Sequence, residues 1–170
     1  MTGSDSGDGA RTVASGARAT LETWLEPDLQ AIVDLARDLT GAAIVAITVL
    51  DDGQFHFLVN AGADPFCTDE DDAMCKYSMG VPGLFEVPDT LLDERMAHLP
   101  FVDGRAASLR FYASTPIYGS REAMVGRFCL FDIAPRALDQ QQTRIMGVLA
   151  DSVGKLLQLE MSRRELALAG

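Results

Sequence analysis

The 170 residues of this chain are enough for one domain of ordinary size. Hydrophobic residues make up 48% and charged residues 23%, a composition typical of a folded globular core and not of a disordered chain. With 25 acidic against 14 basic residues, the net charge of −11 argues against nucleic-acid binding and against docking on an anionic membrane. The chain has neither a long apolar run nor the pattern of a signal peptide, which predicts a cytoplasmic protein.

The beginning of the chain divides into a tail and a helical region. Residues 1–16 are rich in Gly, Ser, Asp and Ala without apolar periodicity, and we predict a disordered tail followed by one domain over 17–170. Helical spacing of Leu21, Trp24 and Leu25 predicts a first helix. Pro27 interrupts it and starts a second helix, which ends near Gly41. The apolar face of the second helix consists of Leu29, Ile32, Val33, Ala36 and Leu39.

A β-hairpin is predicted directly after these helices. Residues 43–50 form an apolar, β-branched run typical of a central strand, and Asp51-Asp52-Gly53 is a tight-turn signal. Residues 54–59 then alternate, which predicts a second strand with one apolar face and His56 on the opposite, solvent-exposed face. The apolar face predicted by this alternation comprises Phe55, Phe57 and Val59.

The middle of the chain predicts short elements, and a second hairpin follows them. We expect a short helix at 73–78, a short strand at 84–87 ended by Pro88, and a helical turn or two within 90–99. A loop at 104–107 precedes a hairpin of strands 108–117 and 124–133.

A long terminal helix is predicted after Pro135. Asp139 and Gln142 have capping-box spacing. Apolar residues then follow the three- and four-residue steps of a coiled-coil seam, which two readings explain equally well: packing on the back of the sheet, or a dimer interface that passes a signal onward. The seam consists of Ile145, Leu149, Leu156, Leu159 and Leu166, interrupted by Ser152 and Arg163.

Three stretches of the chain together resemble the GAF domains of bacterial sensory proteins. They are 109–117 (LRFYASTPI), 126–132 (GRFCLFD) and Pro135-Arg136 with Leu138. The segments 87–89, 93–95 and 101–104 are similar to the stretch that precedes this string in the same branch. The resemblance covers about residues 21–160.

The resemblance implies an α+β fold with a six-stranded antiparallel sheet. The N- and C-terminal helices would lie on one face and often build a parallel dimer, whereas short helices and loops would cover the other face and a small-molecule pocket. The implied function is a non-catalytic sensor in signal transduction, acting on an effector domain or protein. The ligand and any cofactor stay unknown.

The pocket is expected under residues 67–110, because loops over a sheet carry binding residues more often than the scaffold does. Arg110 could hold an anionic group, or it could pair with Asp89 or Asp93 and hold the loop. Tyr112 is either a core aromatic or a pocket wall. The predicted ligand-binding residues are Cys75, Tyr77, Asp89, Arg95, His98, Phe101, Arg110 and Tyr112.

The three cysteines raise a redox alternative. One branch of the family reduces free methionine sulfoxide with a reactive thiolate, so Cys67 and Cys75 are candidates for a reductase or a thiol-based redox sensor. The neighbouring acidic run, residues 69–72, should raise their thiol pKa values and oppose this chemistry. Cys129 is expected to pack as a small hydrophobic residue within its strand.

Three further ligand classes are disfavoured by the sequence. Bilin attachment is weakly supported because Lys76 stands where that branch has a histidine after the cysteine, and the cyclic-nucleotide signature is missing. His56 and His98 have no Cys–His spacing, so no metal site is predicted. A dimerisation or scaffold module with a collapsed pocket is the remaining alternative.

Overall fold

The structure is a computed structural model that describes residues 25–64, 66–119 and 122–170. The predicted tail at 1–16 and the helix through Leu21 and Trp24 lie outside the described residues. Neither described helix has the length and apolar composition needed to span a bilayer.

A single antiparallel sheet of six strands forms the centre of the molecule. Its spatial order is β3-β2-β1-β6-β5-β4, so the two long hairpins lie side by side and the short strands form the edges. This confirms the predicted α+β class. The strands are β1 Ile44–Asp51, β2 Gln54–Ala61, β3 Cys67–Asp69, β4 Phe85–Val87, β5 Phe111–Tyr118 and β6 Met124–Asp132.

Two helices cover one face of this sheet. Helix α1, Glu26–Thr40, has a proline in its first turn and ends at Gly41, whose φ of 66° is the left-handed conformation common after a helix. Helix α2, Gln140–Ala169, starts with the predicted capping box between Asp139 and Gln142. Helix α1 packs on β1 and β2 and helix α2 packs on β5, as expected.

A lid covers the opposite face of the sheet. We use this name for residues 70–84 and 88–109, which contain the 3-10 helices η1, Glu70–Asp72, and η2, Met74–Ser78. The predicted helical turns at 90–99 are present as consecutive turns, one of them closed by a hydrogen bond from Ala97 N–H to Asp93 O (2.9 Å).

The sheet therefore separates two hydrophobic cores. Strand β6 shows the division, because Phe128 and Leu130 point to the helices whereas Cys129 and Phe131 point to the lid. The lid core also holds buried Met96 and Leu99 of the lid turns and Phe55 and Tyr112 of the sheet.

Strand β2 departs from the predicted alternation. Phe55 and Phe57 belong to the lid core, but Val59 belongs to the helix-side core, so the prediction that all three share one face was wrong. The cause is an extra residue in the pairing, since Ile47 is opposite Val59 and Thr48 is opposite Phe57. Such a β-bulge shifts the side-chain alternation by one position.

Strand β3 was not predicted. It is an edge strand of three residues whose Cys67 pairs with His56 of β2. Its polar sequence carries no apolar alternation, which is the signal that reveals longer strands. His56 is half-buried rather than fully exposed, as a result of this neighbouring strand.

Helix α2 buries a different face from the predicted seam. Its buried residues are Met146, Ala150, Val153, Gly154 and Leu157. The seam residues lie beside this face: Leu159 and Leu166 are 61% and 75% exposed, and the seam residues nearer the start of the helix are half-buried. Leu149 and Leu156 pack partly against the helix-side core, whereas Leu159 and Leu166 do not. Packing on the back of the sheet therefore explains part of the seam, and the dimer interface stays a prediction.

Gly154 lets α2 approach the sheet closely, and it yields a stability prediction. A Cβ atom there would clash with the carbonyl oxygen of Tyr118, whereas a Cβ at Gly147 of the same helix would meet nothing within 4 Å. We expect Gly154→Ala to lower the free energy of unfolding by about 1–3 kcal/mol because the helix must shift. Gly147→Ala should raise it by up to about 1 kcal/mol through helix propensity. Urea denaturation of both variants tests the contact, and equal stabilities would contradict it.

Candidate functional site

A small cavity lies between the lid and the sheet. Its volume is about 30 Å³, whereas one water molecule needs roughly 10–15 Å³ of such space. Nine of its ten lining residues are hydrophobic, the exception being Thr68, so the cavity suits an apolar group. The lining residues are Ile44, Phe57, Phe66, Thr68, Ala73, Met74, Cys75, Phe101, Leu109 and Phe131.

Aromatic rings form much of the cavity wall. Phe57 stacks on Phe66 with ring centroids 4.0 Å apart, and Phe66 lies 5.6 Å from Phe101 of the lid. Phe131 closes the sheet side at 5.9 Å from Phe57. The wall thus joins side chains from the sheet, the loop after β2 and the lid.

A buried polar cluster lies beside this cavity, where η2 meets the sheet. The Sγ atoms of Cys75 on η2 and Cys129 on β6 are 3.9 Å apart. Thr48 Oγ1 lies 3.9 Å from Cys75 Sγ and 3.5 Å from Cys129 Sγ. The Tyr112 hydroxyl shares a 2.9 Å hydrogen bond with Ser78 Oγ and lies 3.8 Å from Cys129 Sγ. All five residues are buried.

Arg127 is the most unusual member of this region, because its side chain is fully buried. Its guanidinium donates to Ser114 Oγ (2.8 Å) and Ser114 O (3.1 Å) on the sheet. It also donates to Val81 O (2.9 Å) and Gly83 O (3.2 Å) of the lid. It makes a longer contact with Met124 Sδ (3.8 Å). None of the ion pairs among the described residues includes Arg127, so neutral acceptors solvate a buried positive charge.

The environments of the two buried thiols differ electrostatically. The hydrogen bond with Cys129 lowers the pKa of Cys75, and the charge of Arg127 acts in the same direction. Burial raises the pKa of Cys129 well above its ordinary value. The expectation that the acidic run raises the pKa of Cys75 was therefore wrong, because Cys75 points into the lid core and away from that run.

Arg110 has the structural role offered as one of its two alternatives. It forms a bidentate ion pair with Asp89, with Nε–Oδ1 and Nη2–Oδ2 distances of 2.9 and 2.7 Å. The hydrogen bond to Arg110 lowers the pKa of Asp89. Thr90 N–H donates to Arg110 O (2.9 Å), so the pair fastens the start of the second lid segment to the residue before β5.

The other predicted lid residues are held by neighbours. Arg95 pairs with Asp93 (2.6 Å) and lies over the ring of Phe85, 5.2 Å from its centroid. The backbone oxygen of His98 accepts a hydrogen bond from Arg105 (2.6 Å). Tyr77 is half-buried against the lid core.

The cavity thus brings together only two of the eight predicted ligand-binding residues, Cys75 and Phe101. Tyr112 is a buried core aromatic whose hydroxyl faces η2, and Arg110 is engaged by Asp89. Ligand binding by the eight residues stays a prediction. The role of Arg127 in holding the lid was not predicted. The available signal was its position two residues before Cys129 in a predicted inner strand, which places both side chains on the same face of the sheet.

Asn60 is a second residue of this region that was not predicted from the sequence. Neither polar atom of its buried amide has a hydrogen-bond partner within the described part of the chain. Asn60 pairs across the sheet with Ala46, a lid-core residue, and paired residues of antiparallel strands share a face. A donor and an acceptor on a neutral group are therefore left unused on the lid side of the sheet.

Comparison with known families assigns this architecture. A family model for the GAF domain matches residues 25–157. The chain belongs to the GAF family. No protein of curated function matches it significantly.

Several solved structures share the fold at low sequence identity. The blue-light absorbing PixJ GAF domain of Thermosynechococcus elongatus is 14% identical with a TM-score of 0.67, over 92% of this chain and 94% of that one. The GAF domain of a phosphoenolpyruvate-protein phosphotransferase from Coxiella burnetii is 12% identical with a TM-score of 0.66, over 93% and 96%. A type II free methionine-R-sulfoxide reductase from Thermoplasma acidophilum is 15% identical with a TM-score of 0.62, over 85% and 94%.

Proposed function

We propose that this GAF domain is a non-catalytic sensor in signal transduction that binds a small neutral molecule beneath its lid. The observation that carries the proposal is the incompletely filled apolar cavity between lid and sheet. Apolar cavities of this kind take up small nonpolar molecules because no polar group has to be desolvated. A molecule larger than the present 30 Å³ would require the lid to move outward.

The charges around the site favour a neutral ligand. Arg110 and Arg95 are paired with Asp89 and Asp93, and an anionic ligand would have to break those pairs. The cavity wall itself carries no charged side chain, so it offers an ionic ligand no partner.

The same geometry speaks against catalysis on free methionine sulfoxide. That substrate carries both an ammonium and a carboxylate group, and the hydrophobic cavity wall offers no charged partner for either. Cys67 is exposed on β3, whereas Cys75 is buried and contacts Cys129. The two cysteines predicted to act together therefore have different surroundings.

The effect of ligand binding under the lid would pass to helix α2 through the sheet, which contacts both. Strands β5 and β6 contact the lid core with one face and helix α2 with the other. Gln158 of α2 donates to the carbonyl oxygens of Tyr118 (3.3 Å) and Gly119 (2.9 Å) at the end of β5. A ligand that prefers one arrangement of the lid would bias the helix by its difference in affinity between the two states.

The small size of the cavity favours the alternative function, a ligand-free scaffold module. A ligand-free module would have the same apolar wall closed against the sheet and would not respond to small molecules. The two functions differ in their response to a variant that fills the cavity.

A binding screen with such a variant tests the sensor proposal. Ala73 lines the cavity and is 2% exposed, so Ala73→Val places two more carbon atoms inside it. We expect at least one member of a panel of neutral low-molecular-weight compounds to raise the Tm of the parent chain. The shift should disappear in Ala73→Val, because the added methyl groups occupy the ligand volume.

Ala106→Val is the matched control, since Ala106 is an exposed lid residue outside the cavity. It should keep the ligand-induced shift. If no compound of the panel raised the Tm of the parent chain, the scaffold alternative would be favoured. If both variants lost the ligand-induced Tm shift equally, binding in this cavity would be contradicted.

We further propose that the domain signals as a homodimer through its helices, acting on an effector domain or protein. The support is an apolar strip on α2 and the adjoining surface of α1 that lies open in the single chain. Exposed Leu39 of α1 and Val148 of α2 lie along one groove, which the seam residues Ile145 and Leu149 also line. The strip continues to Leu159, and exposed apolar strips on helices are typical of helical dimer interfaces.

Sedimentation velocity tests the dimer with two leucine substitutions of the same kind. Leu159 on the strip is 61% exposed and Leu92 on the lid is 79% exposed, so neither substitution disturbs a core. We expect the parent chain and Leu92→Glu to sediment as dimers, and Leu159→Glu as a monomer with unchanged helix content, because charge is costly in an apolar interface. A monomeric parent chain, or a dimeric Leu159→Glu, would contradict the proposal.

A further inference from the structure

The two buried cysteines lie in contact with each other. Their sulfur atoms are 3.9 Å apart, whereas Cys67 is exposed on the edge strand β3. Cys75 is carried by a five-residue 3-10 helix of the lid and Cys129 by an inner strand. A small movement of the short helix would therefore bring the two sulfurs to the bond length of about 2.05 Å.

The groups around Cys75 stabilise the thiolate form of its side chain. Thr48 donates a hydrogen bond to Cys75 Sγ (3.9 Å), and the hydroxyl of Tyr112 lies against the neighbouring Cys129. Arg127, paired with Thr48 across the sheet, is a buried cation without a carboxylate partner among the described residues. Hydroxyl donors and a nearby cation stabilise the charged form of a thiol.

Space for a small oxidant lies against the same thiol. Cys75 lines the cavity of about 30 Å³ beneath the lid, whereas Cys129 does not. Hydrogen peroxide is little larger than the water molecule that needs roughly 10–15 Å³, so it fits this space. Larger oxidants, such as glutathione disulfide, are excluded by size.

We propose that Cys75 and Cys129 are a peroxide-reactive pair that closes a reversible disulfide between the lid and the sheet. The Cys75 thiolate attacks one oxygen of hydrogen peroxide, an S–O bond forms as the O–O bond breaks, and the departing hydroxide takes up the proton released by the Cys75 thiol to leave as water. Cys75 becomes a sulfenic acid. Cys129 then attacks Cys75 Sγ, the S–S bond forms, the S–O bond breaks, and the hydroxide leaves with the Cys129 proton as a second water. The thiols lose two electrons and two protons in total, and the peroxide gains them.

The disulfide would change the lid itself. It would tie η2 to the middle of β6 and draw Cys75 toward the sheet, which restrains the wall of the cavity. A dithiol reductant reverses the step. The inference does not depend on the ligand or on the dimer proposed above, because it concerns only the contact between two side chains of one chain.

Peroxide treatment of the whole chain tests the pair. The folded protein is treated with hydrogen peroxide alone, the remaining thiols are alkylated, and the cysteine-linked peptides are mapped by mass spectrometry. We expect a Cys75–Cys129 link that dithiothreitol removes, in the parent chain and in the matched control Cys67→Ser. In Cys129→Ser the link should be lost, and dimedone present while the peroxide-treated chain is unfolded should label Cys75, because the sulfenic acid has no partner.

The lid provides a second measurement that needs no variant. The Met79 amide donates to Cys75 O (3.2 Å), and we expect its hydrogen exchange to slow on oxidation. Oxidation confined to Cys67, or a Cys75–Cys129 link that forms only in denaturant, would overturn the proposal. The mapping in the parent chain and Cys67→Ser decides the question even if Cys129→Ser does not fold. Since no ligand is added, a negative result leaves the sensor proposal standing.

Discussion

The buried guanidinium of Arg127 fastens the lid to the sheet, and the site depends on this attachment. One end of the group donates to Ser114 on the neighbouring strand, and the other end donates to the carbonyl oxygens of Val81 and Gly83. Burying a charge is costly unless every donor finds a partner, and here the lid backbone supplies partners that water would otherwise provide. If that part of the lid moved away, the guanidinium would lose its hydrogen bonds to Val81 O and Gly83 O. The closed lid and the buried arginine therefore stabilise each other.

The division of one sheet into two cores gives the domain its capacity to couple two surfaces. The helix-side core consists mainly of apolar side chains, among them Phe128 and Leu130, and α1 and α2 pack on it. The lid core contains an arginine, hydroxyl groups, two thiols and unfilled space. Such a core is held by directional contacts with short segments and has less apolar packing, which makes the lid side the part that can rearrange.

Much of the fold could be predicted because its signals are local. The capping box at Asp139, the turn before Gln54 and the end of α1 at Gly41 each depend on neighbouring residues. The bulge that turns Val59 away from Phe57 depends on cross-strand pairing, which periodicity does not carry. The site was harder to predict. The contact between Cys75 and Cys129 joins residues 54 positions apart. Three partners of Arg127 are backbone oxygens, which are the same in every sequence.

The attachment of the lid through Arg127 is best tested by hydrogen exchange of Arg127→Lys, which keeps the charge but removes the fork that reaches Val81, Gly83 and Ser114 together. The account predicts faster exchange of the lid amides at residues 74–84, while the amides that pair β1 with β2 keep their protection. Unchanged lid exchange, or an equal loss of protection in both regions, would contradict it.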